Sequence, residues 1–329
     1  MRPLSLLRPR KLMMIIPAAL LLAAAIAVLG VYLHSGARGI TVLMRLDWTA
    51  WANVRPDDPR LSASMRLALT VPPAPARAGP FEWQQIDQGF DVAELPVLAA
   101  GTEVDRILLA RVDPARFRLV VRSAPSGDRR LGDWMRELEA ALVINGSYFL
   151  KNGTPETPVV SAGARLGPGR YDATHGAFVS SARFVGIHDL ANADWRALLH
   201  GADDAVVSYP LLVSPDGSTR VKANPQWLAN RSFIAADASG RIVLGTTTDA
   251  FFSLGRLAAF LREAPLELTI ALNLDGGPVA CQGIALNRFR REFCGQWELA
   301  TKDGQLRLLT RALGARRTGL PIALAVLRK

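Results

Sequence analysis

The stretch SLGRLAAFLREAPLELTIALNLDGG, residues 253–277, sets the expected fold class. SLGRLAAFLRE reads as a helix whose first turn is capped by the Ser253 hydroxyl. LELTIALNL, which follows it, is a short apolar strand that stops at Asp275, Gly276 and Gly277. The same order occurs upstream. LGDWMRELEAA (131–141) places Leu131, Trp134 and Leu138 on one helical face, with Asp133 near its start. It leads into ALVI, a strand that ends on Asn145 and Gly146. Outward from these two units lie further strands. DRILLARVDP and FRLVVRSA flank a turn at Asp113-Pro114, and RSFIAADASGRIVLGTT folds back around Asp237–Gly240. The pattern predicts an α+β fold, a central mixed β-sheet with flanking helices, plus an N-terminal transmembrane helix.

The membrane expectation comes from the first residues. Arg2, Arg8, Arg10 and Lys11 precede a run from Leu12 to Ala37 with no Asp, Glu, Lys or Arg. Such a run is long enough to cross a bilayer, and the positive charge before it favours a cytoplasmic N-terminus. A cleaved signal peptide is the competing reading. The predicted organisation is a basic cytoplasmic segment (1–11), a transmembrane signal anchor (12–34), a juxtamembrane segment ending in the Pro/Ala-rich linker VPPAPARAGP (35–80), and one main domain (81–329). This places the protein in a bacterial inner membrane, single-pass, with its C-terminal domain in the periplasm or outside the cell. In that setting Cys281 and Cys294, the two cysteines of the chain, are expected to form a disulfide; in the cytosol they would be buried thiols.

The chain of 329 residues carries a formal charge of +10. This suits an anionic partner. Nucleic acid is excluded on the pattern: the arginines are scattered, and 7% aromatic residues supply no stacking platform. No G-x-S-x-G elbow, Walker A loop or H-E-x-x-H helix is present. Four histidines without a spaced His/Asp/Glu cluster indicate no histidine-based metal site. No cofactor is required, although the oxygen donors leave room for a calcium or magnesium ion.

Where apolar strands end, side chains emerge from the core and glycines permit close approach. Asn145-Gly146 and Asp275-Gly276-Gly277 could therefore share one pocket. Four segments, ALVINGSYF (141–149), VVSYPLLVSPDG (206–217), NRSFIAADASGRIVLGTTTDAFFSLGRLAAFL (230–261) and IALNLDGG (270–277), together resemble the phosphodiester glycosidase domain family in order and texture. The resemblance spans roughly residues 95–310. It places the family's Asn-Gly on Asn145 and Gly146, its arginine on Arg231, and its Asp-Gly-Gly on Asp275, Gly276 and Gly277. Ser147 and Pro278-Val279-Ala280 depart from its usual glycine-rich pattern.

What the resemblance implies is an envelope hydrolase that cleaves a sugar-1-phosphodiester or a related surface glycan. The alternative is a non-catalytic glycan-binding or envelope assembly protein that retains the fold. A phosphate monoester leaves readily, because its second pKa is near 6, so one carboxylate and one cation could suffice. Asp275 is the expected nucleophile or water-activating base. Arg231 is the expected phosphate partner, since a guanidinium matches phosphate oxygens as a fork. Asn145 would hold sugar hydroxyls or orient the carboxylate. Gly146, Tyr148, Gly276, Gly277, His175 and Glu156 complete the expected substrate-binding set, with Glu156 and Asp172 as possible second carboxylates in the polar loop 151–177. Arg288, Arg290 and Arg291, inside the expected disulfide loop, would form a basic wall for an anionic ligand.

Overall fold

The structure, a computed structural model, describes residues 17, 20–28, 49–70, 75–222, 227–302, 304–311 and 319–329. Strands dominate the described residues, and the strand pairings are antiparallel throughout. The expected α+β fold with a central mixed sheet is thereby corrected to a mostly β fold. Parallel strands need long crossovers, usually helical. Here the helices Ala63–Ala68, Leu131–Glu137, Trp195–Leu199 and Leu254–Glu263 are short. The two helix–strand units read from the sequence do form, but each delivers its strand into an antiparallel sheet.

The transmembrane part of that expectation is corrected as well. Among the described residues no helix is long and apolar enough to cross a membrane. Of the span expected at 12–34, residues 17 and 20–28 are helical and the remainder lies outside the described residues. The membrane partner expected through that helix has no support in the structure.

The described strands form four sheets. The largest runs Leu211–Val213, Leu268–Asn273, Ser232–Asp237, Ile242–Thr247, Thr102–Val112, Phe90–Ala99 and Arg77–Ala78, with Gln84–Asp87 added beside Phe90–Ala99. A second sheet orders Phe289–Cys294, Cys281–Leu286, Leu142–Asn145, Ile322–Arg328 and Phe117–Ser123. Apolar residues cover both faces of the large sheet, which is why its strands read as continuous apolar runs rather than as alternation. Ile107, Leu109, Phe233 and Ala235 face a core completed by Leu257, Phe260 and Leu261 of the helix Leu254–Glu263. Leu108, Ala110, Ile234 and Leu272 face the opposite way, against Leu119, Ile144, Ile284 and Leu324 of the second sheet. Leu61, Met65 and Ala68, which precede the Pro/Ala stretch, belong to the first of these cores.

This sandwich positions the site. Leu268–Asn273 and Leu142–Asn145 lie in facing sheets, and both end at the same edge. Asp275 N–H donates to the Gly146 carbonyl at 3.0 Å, which joins the two strand ends directly.

Candidate active site

Asn145, buried at 2% exposure, ties that junction together. Its Nδ2 donates to the Asp275 carbonyl at 2.8 Å and the Gly146 carbonyl at 3.2 Å, and its Oδ1 accepts from Cys281 N–H at 3.0 Å. With both ends of its amide engaged by the backbone, Asn145 holds the carboxylate's strand in place and does not line the cavity. Gly146 is required by packing, since a Cβ there would lie 2.3 Å from Ile322 Cγ2.

Beside the junction opens a cavity of about 360 Å³. Asp275, Gly276, Arg231 and Tyr148, four of the residues expected from the sequence, line it. So do Glu298, Trp227, Tyr209 and Lys222, none of which the sequence reading singled out. Arg231 is 5% exposed, and its guanidinium is fixed from behind. Nε donates to the Phe252 carbonyl at 3.1 Å and Nη2 to the Trp227 carbonyl at 2.7 Å. Nη1 lies against Gly276, where a Cβ would approach it to 3.3 Å. Burial lowers the guanidinium's pKa, while Tyr148, Glu298 and Asp275 act in the opposite direction. An arginine nonetheless stays protonated in such surroundings, so the cavity has a permanent cation in its wall.

The two glycines after Asp275 now acquire separate physical reasons. Gly276 packs against the Asn230 carbonyl, which a Cβ would approach to 2.9 Å, and against the Arg231 guanidinium. Gly277 has φ +67°, and a Cβ on it would stand 2.6 Å from Glu298 Oε2. The motif thus seats a buried cation on one side and a second carboxylate on the other. Glu298 is 7% exposed, and its Oε1 accepts from the Trp227 indole N–H at 3.2 Å. Asn230 sets this arrangement from below. Its Nδ2 donates to the Thr247 and Asp249 carbonyls, and its Oδ1 accepts from the amides of Gln296 and Trp297, two residues and one residue before Glu298.

The tyrosines build another part of the wall. Tyr148 and Tyr209 stack with ring centroids 4.3 Å apart. The Tyr148 hydroxyl donates to the Tyr209 carbonyl and accepts from Asn273 Nδ2, each at 2.7 Å. Burial, and then the charge of Asp275, raise the Tyr148 phenol well above its usual value, so it remains neutral. Burial likewise raises Tyr209, which also hydrogen-bonds Glu156. Glu156 therefore reaches the site through Tyr209 and is not part of the lining. His175 is one step removed too: its Nδ1 accepts from Leu211 N–H at 3.3 Å, its ring centroid lies 6.2 Å from that of Tyr209, and burial lowers its pKa. Gly277 is buried beneath the lining, and Asp172 is exposed in its loop.

Cys281 and Cys294 are bonded to each other. They face one another across the hairpin Cys281–Leu286/Phe289–Cys294, at its open end. The expected basic wall is corrected by this register: the arginines sit at or near the opposite, turn end. Arg290 donates to the carbonyls of Asn287 and Phe289, and Arg291 pairs with Glu94 of another sheet. Lys222 and Arg231 are the basic residues in the lining. Among the described residues no group of three or more His, Cys, Asp or Glu side chains is placed to hold a metal ion.

The missed residues carried little local signal. Glu298 occurs in GQWELA, which carries no motif, and Asn230 opens the resembling segment 230–261, where the resemblance drew attention to its neighbour Arg231 instead. Tyr209 and Asn230 could have been suspected from their position inside resembling segments, and Lys222 from its place shortly after one.

Comparison with known proteins follows the same residues. The family model described as phosphodiester glycosidase matches residues 139–282. No curated protein sequence matches the chain. Among solved structures, the chain is similar to the zebrafish N-acetylglucosamine-1-phosphodiester alpha-N-acetylglucosaminidase catalytic domain, auto-inhibited by its pro-peptide. That match has 14% identity and a TM-score of 0.52, and covers 77% of this chain and 88% of that one. A hypothetical protein from Synechocystis matches at 18% identity over 77% of this chain and 64% of its own, with a TM-score of 0.48. With Asn145, Arg231 and Asp275 all inside the matched segment, the chain carries a phosphodiester glycosidase-family domain.

Proposed function

We propose that the cavity hydrolyses the bond between the anomeric carbon of a sugar and a phosphodiester oxygen, releasing a phosphate monoester. The observation that carries this reading is the convergence of the Asp275 carboxylate and the buried Arg231 cation on one cavity. Asp275 supplies the carboxylate for the anomeric carbon. Arg231 and Lys222 supply positive charge for the departing phosphate, which needs no proton to leave. Tyr148, Tyr209 and Trp227 offer aromatic surface for a sugar ring. The zebrafish protein is an N-acetylglucosamine-1-phosphodiester alpha-N-acetylglucosaminidase, which makes N-acetylglucosamine the first sugar to try. The Cys281–Cys294 bridge supports a location in an oxidising compartment.

The test is turnover of the methyl diesters of N-acetylglucosamine, glucose and mannose 1-phosphate by the purified full-length chain, beside Asp275→Asn. Turnover that vanishes in the variant supports the reading. A folded native protein inert on all three diesters overturns it, and sugar binding without turnover would then favour a binding module.

A further inference from the structure

We infer that Glu298 is the base that takes the proton from the hydrolytic water, and that Trp227 positions it; this rests on the hydrolase reading above. The cavity holds two carboxylates, separated by Gly276 and Gly277. Asp275 precedes the two glycines, and Glu298 touches the second of them. In ordinary glycoside hydrolysis one carboxyl group of such a pair protonates the leaving oxygen. A phosphate monoester has no need of that proton, so a second carboxylate has no work as an acid in bond cleavage. The proton still to be handled is that of the attacking water.

The reaction balances in two steps. An Asp275 oxygen bonds the anomeric carbon as the carbon–oxygen bond to phosphate breaks, its electron pair leaving with the phosphate monoester beside Arg231 and Lys222. Water then bonds the same carbon and gives its proton to Glu298. The bond to Asp275 breaks with its pair returning to the carboxylate, and Glu298 later passes the proton to solvent.

The surroundings of Glu298 fit this work. It is carried by the strand Glu298–Lys302, outside the segment that the family model matches. Asn230 fixes the two amides that precede it, and the Trp227 indole N–H holds one oxygen. Gly277 gives the other oxygen room that any side chain would deny. A base must be held within hydrogen-bond reach of the water it activates, and these contacts supply that restraint. Trp227 is itself 42% exposed at the cavity.

The experiment compares the full-length native chain, Glu298→Gln and Trp227→Phe, using whichever of the three methyl diesters the native chain hydrolyses fastest. Azide, an anion that needs no deprotonation, is added as a substitute for water. Glu298→Gln keeps the shape and the acceptor for Trp227 but cannot take a proton. Its kcat should fall by ~100–10,000-fold, the range for a lost general base, with its melting temperature near native. Azide should restore turnover and yield a glycosyl azide. Trp227→Phe keeps the ring but loses the N–H. It should lower kcat with KM nearly unchanged, and azide should recover part of the loss.

Glu298→Gln with native kcat, or with a reduced kcat that azide does not rescue, overturns the base assignment while leaving the hydrolase reading intact. A Trp227→Phe variant that raises KM alone overturns the positioning role and makes the ring a sugar contact. A native chain inert on every diester removes both the function and this inference.

Discussion

Gly277→Ala tests the close approach on which the site depends. The substitution adds one methyl group at a residue with φ +67°, where its Cβ would stand 2.6 Å from Glu298 Oε2. Two costs follow. A side chain in the left-handed region costs about 1–2 kcal/mol. The contact itself is too short to survive, so either the loop or the Glu298 carboxylate must move. If the carboxylate moves, its hydrogen bond from Trp227 is strained or lost, which costs about 1.5–3 kcal/mol for a bond to a charged group. Together these give a loss of ~3–5 kcal/mol in stability. At about 2 °C per kcal/mol for a chain this large, melting should occur ~6–10 °C lower. A displacement of this kind should also lower kcat by about 100-fold, measured on the diester that the native chain turns over. Calorimetry and steady-state kinetics on the same preparation read both effects. Native melting would refute the close approach. Lower melting with full activity would refute the claim that the placement of Glu298 matters.

Other substitutions separate further parts of the structure. Gly132→Ala is the counterpart with the opposite sign: the residue lies in the helix Leu131–Glu137 with nothing within 4 Å of an added Cβ. Melting should rise, in keeping with a gain of about 0.5–1 kcal/mol. Asp105 is buried, and burial pushes its carboxyl up to about 8 against hydrogen bonds from Asp249, Arg106 and Thr248. A folded-state pKa above the unfolded value means that the native state keeps a proton the unfolded chain releases. The stabilisation is full below about pH 4 and declines as pH rises to about 8, so the native chain should lose stability across that window relative to Asp105→Asn, as thermal melts at each pH would show. Reducing the Cys281–Cys294 bridge, which closes a separation of 13 residues, should cost ~3 kcal/mol and be visible as a lower melting temperature under reductant.

The chain shows its local physics openly. The Ser253 hydroxyl caps its helix by accepting from Arg256 N–H, the turn at Asp237–Gly240 closes a hairpin, and the strands stop at Asn145 and at Asn273, two residues before Asp275. Each of these depends on residues within a few positions of one another, so pattern and composition suffice to read them. The cysteines, and the approach of Asn145 to Asp275, were also legible. An apolar strand ending in a polar residue and glycine marks a place where the core opens.

Other features follow from pairings distant in sequence. Whether a strand lies parallel or antiparallel to its neighbour depends on the connection between them, and helix–strand units at 131–145 and 254–273 do not reveal that their sheets are antiparallel throughout. The hairpin register sends Arg290 and Arg291 away from the cavity, although they lie within the disulfide loop in sequence. Asn145 reads as a ligand contact until its amide is seen bonded to the backbone at both ends. Glu298 shows the same limit most plainly. Nothing near it in the chain marks it, and it becomes part of the site because Asn230 draws the 296–298 segment against Gly277. Sequence determined the strands, the turns and the Asp-Gly-Gly corner, because neighbouring residues decide those. Only the tertiary structure decided which second carboxylate shares the cavity with Asp275, because long-range packing alone brings the two to one site.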